Sequence, residues 1–200
     1  MTASGKELEV KFALENHTRL KQNLESLGAQ VVQPRVHEIN LRFDTVENDM
    51  LRSGQVLRLR KDSEARLTYK GPGQVSEGVQ SRVELEFTVG DFDMAQRFLE
   101  ALGYKLVVIY EKYRATYAFE GVLVTLDEMP YGSFAEIEGP DGESIRRAAE
   151  RLGLDWESRI FESYLAMFAK LRGEMGFTFR DLTFENFEGI DRRNQKPELK

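Results

Sequence analysis

Six short segments of the chain carry ionic side chains at alternate residues, mostly with apolar residues between them. Lys and Arg can bind phosphate oxygens, Arg through a planar bidentate fork and Lys as a point charge. Carboxylates supply the oxygen ligands that Mg²⁺ and Mn²⁺ prefer. Together these residue types suit the binding of a phosphate-rich anion with a divalent metal. The ionic positions are Glu7, Glu9 and Lys11; Arg58 and Arg60; Lys70; Arg82, Glu84 and Glu86; Lys112 and Arg114; and Glu136 and Glu138.

The alternation predicts β-strands with one apolar and one ionic face, because successive side chains of a strand point to opposite sides. A sheet with one solvated face would explain any single segment of this kind. Here, however, the polar faces are almost wholly ionic and the pattern recurs in six segments. The sequence therefore favours an antiparallel barrel with apolar residues facing outward under helices and ionic residues inward. Closure of such a barrel also removes exposed strand edges.

Ionic residues inside a barrel are costly unless they pair with one another or with a ligand. A polyphosphate with Mg²⁺ or Mn²⁺ would satisfy both charge types, since the cations contact phosphate and the carboxylates contact the metal. Such a site needs neither cysteine nor histidine, and the chain has no Cys and only two His, His17 and His37. The lack of Cys excludes disulfides and thiolate metal sites. With only two histidines, a zinc site built from imidazoles or a Ser-His-Asp triad is poorly supported.

Length and net charge limit the number of domains and the kinds of partner that the protein can have. A chain of 200 residues favours one domain with a short appendage. The net charge of −6 argues against a nucleic-acid partner bound by bulk electrostatics. No apolar run reaches the roughly 20 residues that cross a bilayer, and residues 1–6 do not resemble a signal peptide. No membrane partner and a cytoplasmic location are therefore expected.

Four amphipathic helices are predicted between the alternating segments, and each is expected to end at a glycine, the last at Gly173. The tunnel-like domain is expected to span residues 1–172. Residues 173–200 are predicted to form an extension that docks in part through phenylalanines, with a disordered end. The predicted helices are 17–27, 93–102, 143–152 and 162–172.

The order of the ionic segments resembles that of a known family. Glu7-x-Glu9-x-Lys11 is similar to the E-x-E-x-K signature of the CYTH superfamily, or triphosphate tunnel metalloenzymes. That superfamily includes class IV adenylyl cyclases, thiamine triphosphatases and inorganic triphosphatases. The resemblance covers roughly residues 6–170. The further matching segments, in order, are 57–60, Tyr69-Lys70-Gly71-Pro72, 82–86, 111–114, Asp127, 134–138 and Ser163-Tyr164.

The resemblance implies an α+β fold: a closed eight-stranded antiparallel β-tunnel with a charged interior, covered by helices. It also implies Mg²⁺ or Mn²⁺ as cofactor, with Glu84 and Glu86 balancing charge or helping to place a second metal. The implied metal ligands are Glu7, Glu9, Asp127, Glu136 and Glu138. The implied phosphate-binding residues are Lys11, Arg58, Arg60, Lys70, Arg82, Lys112 and Arg114. The candidate catalytic residues are Lys11, Arg58, Glu84 and Glu86.

One position departs from the family. Arg42 stands where many members have Tyr, so a role borrowed from that tyrosine does not transfer. The resemblance therefore does not identify which triphosphate is the substrate.

Three functions compete at this stage. A triphosphatase, in which water attacks a terminal phosphate of inorganic, thiamine or nucleoside triphosphate, is predicted because no segment is typical of an adenine pocket. A class IV adenylyl cyclase, which converts ATP to cyclic AMP and pyrophosphate, is the alternative. A non-catalytic polyphosphate- or nucleotide-binding module is the second alternative. The expected partner is a small-molecule triphosphate, and since some relatives are dimers, a homodimer stays open.

Overall fold

Antiparallel strands dominate the fold, and eight of them close into a barrel. The computed structural model describes residues 6–76 and 78–190. Around the barrel the order is β1-β9-β8-β7-β2-β3-β4-β6, and β6 pairs back with β1; the short β5 forms a hairpin with β6. The strands are β1 (Lys6–Leu14), β2 (Gln30–Asp44), β3 (Val56–Lys61), β4 (Ala65–Lys70), β5 (Gln74–Ser76), β6 (Val79–Val89), β7 (Lys105–Phe119), β8 (Val122–Met129) and β9 (Gly132–Glu138). The expected eight-stranded closed tunnel is confirmed.

All six alternating segments lie in strands, and β2 and β8 contain none of the six. In β2 the register with β7 shifts on both sides of Gln33, next to Pro34, which lacks a backbone donor and interrupts the period of two. In β8 the cavity-facing positions begin with Leu123 and Thr125, so no ionic residue marks its inner face before Asp127.

The helices lie on the outside of the barrel. The four predicted helices are present, with ends that differ by up to three residues. The last continues past Gly173 and ends at Gly176, whose φ of 70° is the left-handed conformation that glycine adopts without strain. The additional α2 was not predicted; the buried Asp44 carboxylate accepts the backbone N–H groups of Met50 and Leu51 there. The helices are α1 (Thr18–Ser26), α2 (Asp49–Arg52), α3 (Phe92–Ala101), α4 (Gly142–Arg151) and α5 (Tyr164–Met175).

The hydrophobic core lies between the outer face of the barrel and the helices. One cluster joins Val10 and Ile137 of the barrel to Leu24 of α1 and Ile145 of α4. A second packs strand residues Leu41, Phe43, Leu57 and Leu59 against Leu99 of α3. Apolar side chains thus point outward, as predicted, and the ionic side chains are left to face inward. Along β6, however, Val83, Leu85 and Phe87 stay more than half exposed, so this outer strip lacks a helical cover.

The segment after α5 packs on the barrel through a third cluster. The fully buried Leu182 exchanges backbone hydrogen bonds with β7, donating to Ile109 and accepting from Glu111 at 2.9 Å each. Phe179 and Phe187 pack against Phe168 of α5. The predicted disorder of the final ten residues falls at 191–200, outside the described part of the chain. Within the described ranges, no helix has the length and apolar character needed to cross a membrane.

Candidate functional site

The inward-facing side chains enclose a cavity of about 350 Å³ inside the barrel. This volume lies in the range of small-molecule sites, although the lining is far more ionic than usual. Every predicted site residue lines the cavity except Asp127, which lies behind it. The ionic lining residues are Glu7, Glu9, Lys11, Arg42, Arg58, Arg60, Lys70, Arg82, Glu84, Glu86, Lys112, Arg114, Glu136 and Glu138. Side chains from all eight strands of the closed barrel, and from the start of α5, therefore converge on one cavity.

Asp127 is fully buried and holds two cations in position. Its carboxylate accepts from Lys112 Nζ at 3.1 Å and from Arg114 Nε at 2.6 Å. The Tyr164 hydroxyl donates to the same carboxylate at 2.8 Å. Burial and the nearby Asp127 raise the pKa of Tyr164 well above its usual value, which keeps the hydroxyl protonated as a donor. Asp127 thus fixes the orientation of Lys112 and Arg114, and its oxygens are already occupied.

Glu136 is likewise held by cations. Lys11 Nζ lies 3.1 Å from one of its oxygens, and Arg114 donates to the other. Burial raises the pKa of Glu136, but Lys11 and Arg114 outweigh it and hold that pKa well below its usual value. The carboxylate therefore stays ionised. Lys11 also donates to the backbone oxygen of Glu162, which ties β1 to the segment before α5.

Glu9 and Glu138 are directly opposite each other on β1 and β9, with Glu7 two residues from Glu9. Lys70 Nζ contacts both oxygens of Glu7 at 2.6 Å. In the described part of the chain, by contrast, neither Glu9 nor Glu138 has a hydrogen-bond or ion-pair partner. Burial raises the pKa of Glu9, and the charges of Glu7 and Glu136 raise it further. The pKa of Glu138 is raised in the same way, by burial and then by Glu7 and Glu9.

These three carboxylates fit a divalent metal by their chemistry. Like charges directly across two strands repel, and a hard cation with oxygen ligands would remove that repulsion. Within residues 6–76 and 78–190, no three acidic or histidine side chains are yet close enough to hold an ion. The fit therefore rests on the cross-strand pair Glu9 and Glu138, whose carboxylates have no hydrogen bond or ion pair within 4.0 Å in the described ranges. Glu7 would exchange its contact with Lys70 for the metal. The other two expected ligands, Asp127 and Glu136, are engaged by cations.

Two arginines of β3 share one carboxylate. Arg60 Nη2 lies 3.1 Å from Glu86 and Arg58 Nη2 lies 3.5 Å from it, while the Thr68 hydroxyl donates to Glu86 at 2.7 Å. Glu84, two residues earlier on β6, lies 3.5 Å from Lys70. The structure thus places Glu86 as the counter-charge of the arginines and leaves Glu84 the less restrained of the two.

Three residues of the site were not among the predicted site residues. Glu38, which is 1% exposed, lies 3.6 Å from Lys112 and 3.8 Å from Arg60. Tyr110 and Arg42 line the cavity. A signal for β2 was present, since Glu38, Asn40 and Arg42 alternate with apolar residues. This stretch, residues 38–44, alternates over seven residues beyond Pro34 but was not counted among the six segments.

Comparison with known proteins places this architecture in a family. The model of the CYTH domain matches residues 5–160. No match is found among curated proteins. A "putative adenylate cyclase" from Vibrio parahaemolyticus has a similar structure, with 22% identity, a TM-score of 0.71 and coverage of 82% of this chain and 97% of that one.

Two further structures share the fold. The PH1012 protein of Pyrococcus horikoshii has 28% identity and a TM-score of 0.68, over 79% of this chain and 96% of that one. A "putative adenylyl cyclase" of Hippeastrum, described as having a dominant triphosphatase activity, has 20% identity and a TM-score of 0.62, over 82% and 95%. The family resemblance predicted from the ionic segments is confirmed. This chain belongs to the CYTH domain family.

Proposed function

We propose that the chain is a divalent-metal-dependent phosphohydrolase that acts on a triphosphate inside the barrel. The observation that carries the proposal is the charge pattern of the cavity. Among the described lining residues, Glu9 and Glu138 have no cation within 4.0 Å, and Arg42 and Arg82 have no carboxylate within 4.0 Å. A metal ion together with a polyphosphate would compensate both groups at once.

The basic residues would bind the phosphates. The arginines of β3, β6 and β7 can each grip two oxygens of one phosphate, whereas Lys11, Lys70 and Lys112 act as point charges. Because most of these cations are already paired with carboxylates, their side chains are held in the cavity before substrate arrives. Binding then exchanges a carboxylate partner for a phosphate without ordering a flexible side chain.

Glu7, Glu9 and Glu138 would hold Mg²⁺ or Mn²⁺, as the chemistry of their oxygens suits these ions. When bound, the metal would neutralise phosphate charge and align the chain of phosphates. Glu84, which has only a 3.5 Å contact with Lys70, is free to accept a proton from an attacking water. In the reaction the water oxygen bonds to the terminal phosphorus, the bridging P–O bond breaks, and orthophosphate and the shortened phosphate leave.

Acceleration requires contacts that strengthen as the terminal phosphoryl group transfers, since equal binding of substrate and transition state adds nothing to turnover. Arg58 and Arg114 are suited to this role. Arg58 is held by Glu86 and Thr68, and Arg114 is fixed by Asp127. Rigid, largely buried donors of this kind need little reorganisation when charge develops on the phosphate.

Hydrolysis is favoured over cyclisation by the composition of the lining. Beside its ionic residues, the cavity is lined in the described ranges by three aliphatic residues, two tyrosines and three uncharged polar residues: Val56, Leu123, Leu165, Tyr110, Tyr164, Gln80, Thr125 and Ser163. Both tyrosine hydroxyls have partners, Tyr164 with Asp127 and Tyr110 with Arg58 at 3.5 Å. A hydrolase needs only the phosphates and water, which this lining suits, whereas a cyclase must also hold a base.

A product-resolved assay tests the proposal. The protein is incubated with tripolyphosphate, thiamine triphosphate and ATP, each with Mg²⁺ and with Mn²⁺, and with EDTA as the control. Orthophosphate together with the matching diphosphate is expected, and EDTA is expected to abolish its formation. Cyclic AMP with pyrophosphate as the main products would overturn the hydrolase. Binding without turnover of any substrate would indicate a binding module.

A further inference from the structure

An apolar strip lies uncovered on the outside of β6. Val83, Leu85 and Phe87 alternate along the strand, so their side chains share its outer face. These residues are 53%, 59% and 59% exposed, respectively. The side chains between them, Glu84 and Glu86, line the cavity. The strip is therefore the outer surface of a strand whose inner face belongs to the candidate site.

A second apolar row lies on α3, the helix that follows β6. Met94 and Phe98, together with Leu102 at the C-terminal cap, recur at every fourth residue and so lie on one side of the helix. They are 58%, 62% and 61% exposed, respectively. The helix buries Leu99 against the barrel instead. The exposed row is thus a side of α3 that the barrel does not cover.

The topology places the strip and the row side by side. β6 and β7 run parallel, since four antiparallel pairings separate them, and α3 joins them across the outside of the strands between. Connections of this kind are right-handed. With Leu99 against the barrel, a right-handed connection turns the exposed row of α3 toward β6. Phe87 also lies opposite Leu67 of β4, which packs in the cluster that contains Leu99. We call the combined surface the β6–α3 face: Val83, Leu85, Phe87, Met94, Phe98 and Leu102.

The β6–α3 face is large for a protein that stays monomeric. At roughly 150–250 Å² of accessible surface for a large apolar side chain, six residues more than half exposed present on the order of 600 Å². Monomers rarely expose a contiguous apolar patch above a few hundred Å². One side of a standard interface buries about 800 Å², of which roughly 65% is apolar when two copies of one chain meet. The face therefore supplies the apolar area that one side of a dimer needs.

The composition of the face suits a second copy of the chain. In a two-fold dimer the same patch of both copies meets, so a charge near the axis would face a like charge. None of the six residues is charged, which makes the face complementary to itself. Two of them are phenylalanines, Phe87 and Phe98, and within residues 6–76 and 78–190 no other phenylalanine is more than half exposed. Aromatic residues are enriched in the buried centre of interfaces.

We infer that the β6–α3 face is the interface of a homodimer, in which a second copy related by a two-fold axis covers it. The contact would use only the outward side chains of β6, so its inward carboxylates would still face the cavity. The inference goes beyond the proposed function and does not depend on it, because it concerns the outside of the barrel.

Sedimentation velocity of the full chain, from nanomolar to high micromolar concentration, tests the inference. The wild type is expected to form a dimer that tightens as salt is added, because salt screens the repulsion between two chains of net charge −6. Leu85→Glu and Phe98→Glu are each expected to weaken the dimer by at least about 30-fold, the effect of losing a central interface residue. The matched control is Leu51→Glu on α2, which changes a residue that is 72% exposed outside the face and should leave the dimer intact.

A second measurement locates the contact without a charged substitution. The chain has no Cys, so a single introduced thiol reports on its own position. Alkylation of Met94→Cys should slow as the protein concentration rises through the dissociation constant, whereas Leu51→Cys should react at one rate throughout. A wild type that stays monomeric would overturn the inference and leave the face to a different protein. A dimer that persists in both glutamate variants, or that leaves the reactivity of Met94→Cys unchanged, would overturn it as well.

Discussion

Replacing Glu9 with Gln is expected to lower kcat/KM on any triphosphate substrate by at least about 100-fold, since even residues that only support metal ligands cost 10- to 100-fold when mutated. Glu9 lies opposite Glu138 and two residues from Glu7. Its carboxylate has no cation within 4.0 Å in the described part of the chain, although Lys70 and Lys11 act on it at longer range. Under the proposed function a metal ion would supply the direct counter-charge. Gln keeps the shape of the side chain and removes the anionic oxygen.

The loss should arise from metal binding and not from unfolding. Gln removes one of three neighbouring carboxylates, so the metal-free variant should unfold at a temperature no lower than the wild type. The Mn²⁺ concentration that gives half-maximal activity should rise, and the matched control Glu25→Gln, on the exposed face of α1, should change neither value. A variant with unchanged kcat/KM and unchanged Mn²⁺ dependence would remove Glu9 from the metal site.

Replacing Glu38 with Gln is expected to lower the free energy of unfolding at pH 7 by about 3–5 kcal/mol, the usual cost of removing one partner of a buried ion pair. Glu38 is 1% exposed and lies 3.6 Å from Lys112 and 3.8 Å from Arg60. Without its charge these two cations face each other with less compensation. Urea unfolding of the two proteins measures the difference directly.

The same substitution has a defined pH dependence. Burial raises the pKa of Glu38, but Lys112 and then Arg114 and Arg60 outweigh it and hold the pKa below the ordinary value of 4.5. A depressed pKa stabilises the folded state above the pKa of the unfolded chain, and this contribution is lost as the pH falls through the folded value. The difference between wild type and Glu38→Gln should therefore be constant from pH 6 to 8 and shrink below about pH 4.5.

An exposed ion pair provides the comparison. Glu128→Gln disrupts the surface contact with Arg35 and should cost no more than about 1 kcal/mol. If Glu38→Gln were as mild as this control, or if its cost grew on acidification, Glu38 would not be the ionised centre of the interior network.

The barrel could be predicted from the sequence because its ionic interior and apolar exterior require a particular residue pattern. A closed sheet with an ionic interior requires strict alternation, and Glu7-Leu8-Glu9-Val10-Lys11 shows it without exception. The signal fades where the backbone is irregular, as around Pro34 in β2, or where inward positions carry no charge, as at Leu123 and Thr125 of β8. Glu38 and Arg42 follow the irregular stretch, in residues that do alternate, and were nevertheless left out of the predicted site.

The composition of the site was predictable, but its internal pairing was not. Alternation shows which side of a strand a residue faces, whereas the partner across the barrel depends on register, which turns and bulges set. Glu136 and Asp127 were grouped with the metal ligands, yet register brings them to Lys11 and Arg114. Arg82 is opposite Glu7 in register but forms no ion pair with it, because Lys70 occupies that carboxylate.

The location of substrate and metal can be measured directly by crystallising the chain with tripolyphosphate and Mn²⁺ and recording the anomalous scattering of manganese. The predicted result is a manganese peak inside the barrel, coordinated by Glu9 and Glu138, with phosphate oxygens contacting Arg42, Arg58 and Arg82. Manganese and phosphate bound only on the outer surface, with the cavity empty, would contradict the assignment of the barrel interior as the site of triphosphate chemistry.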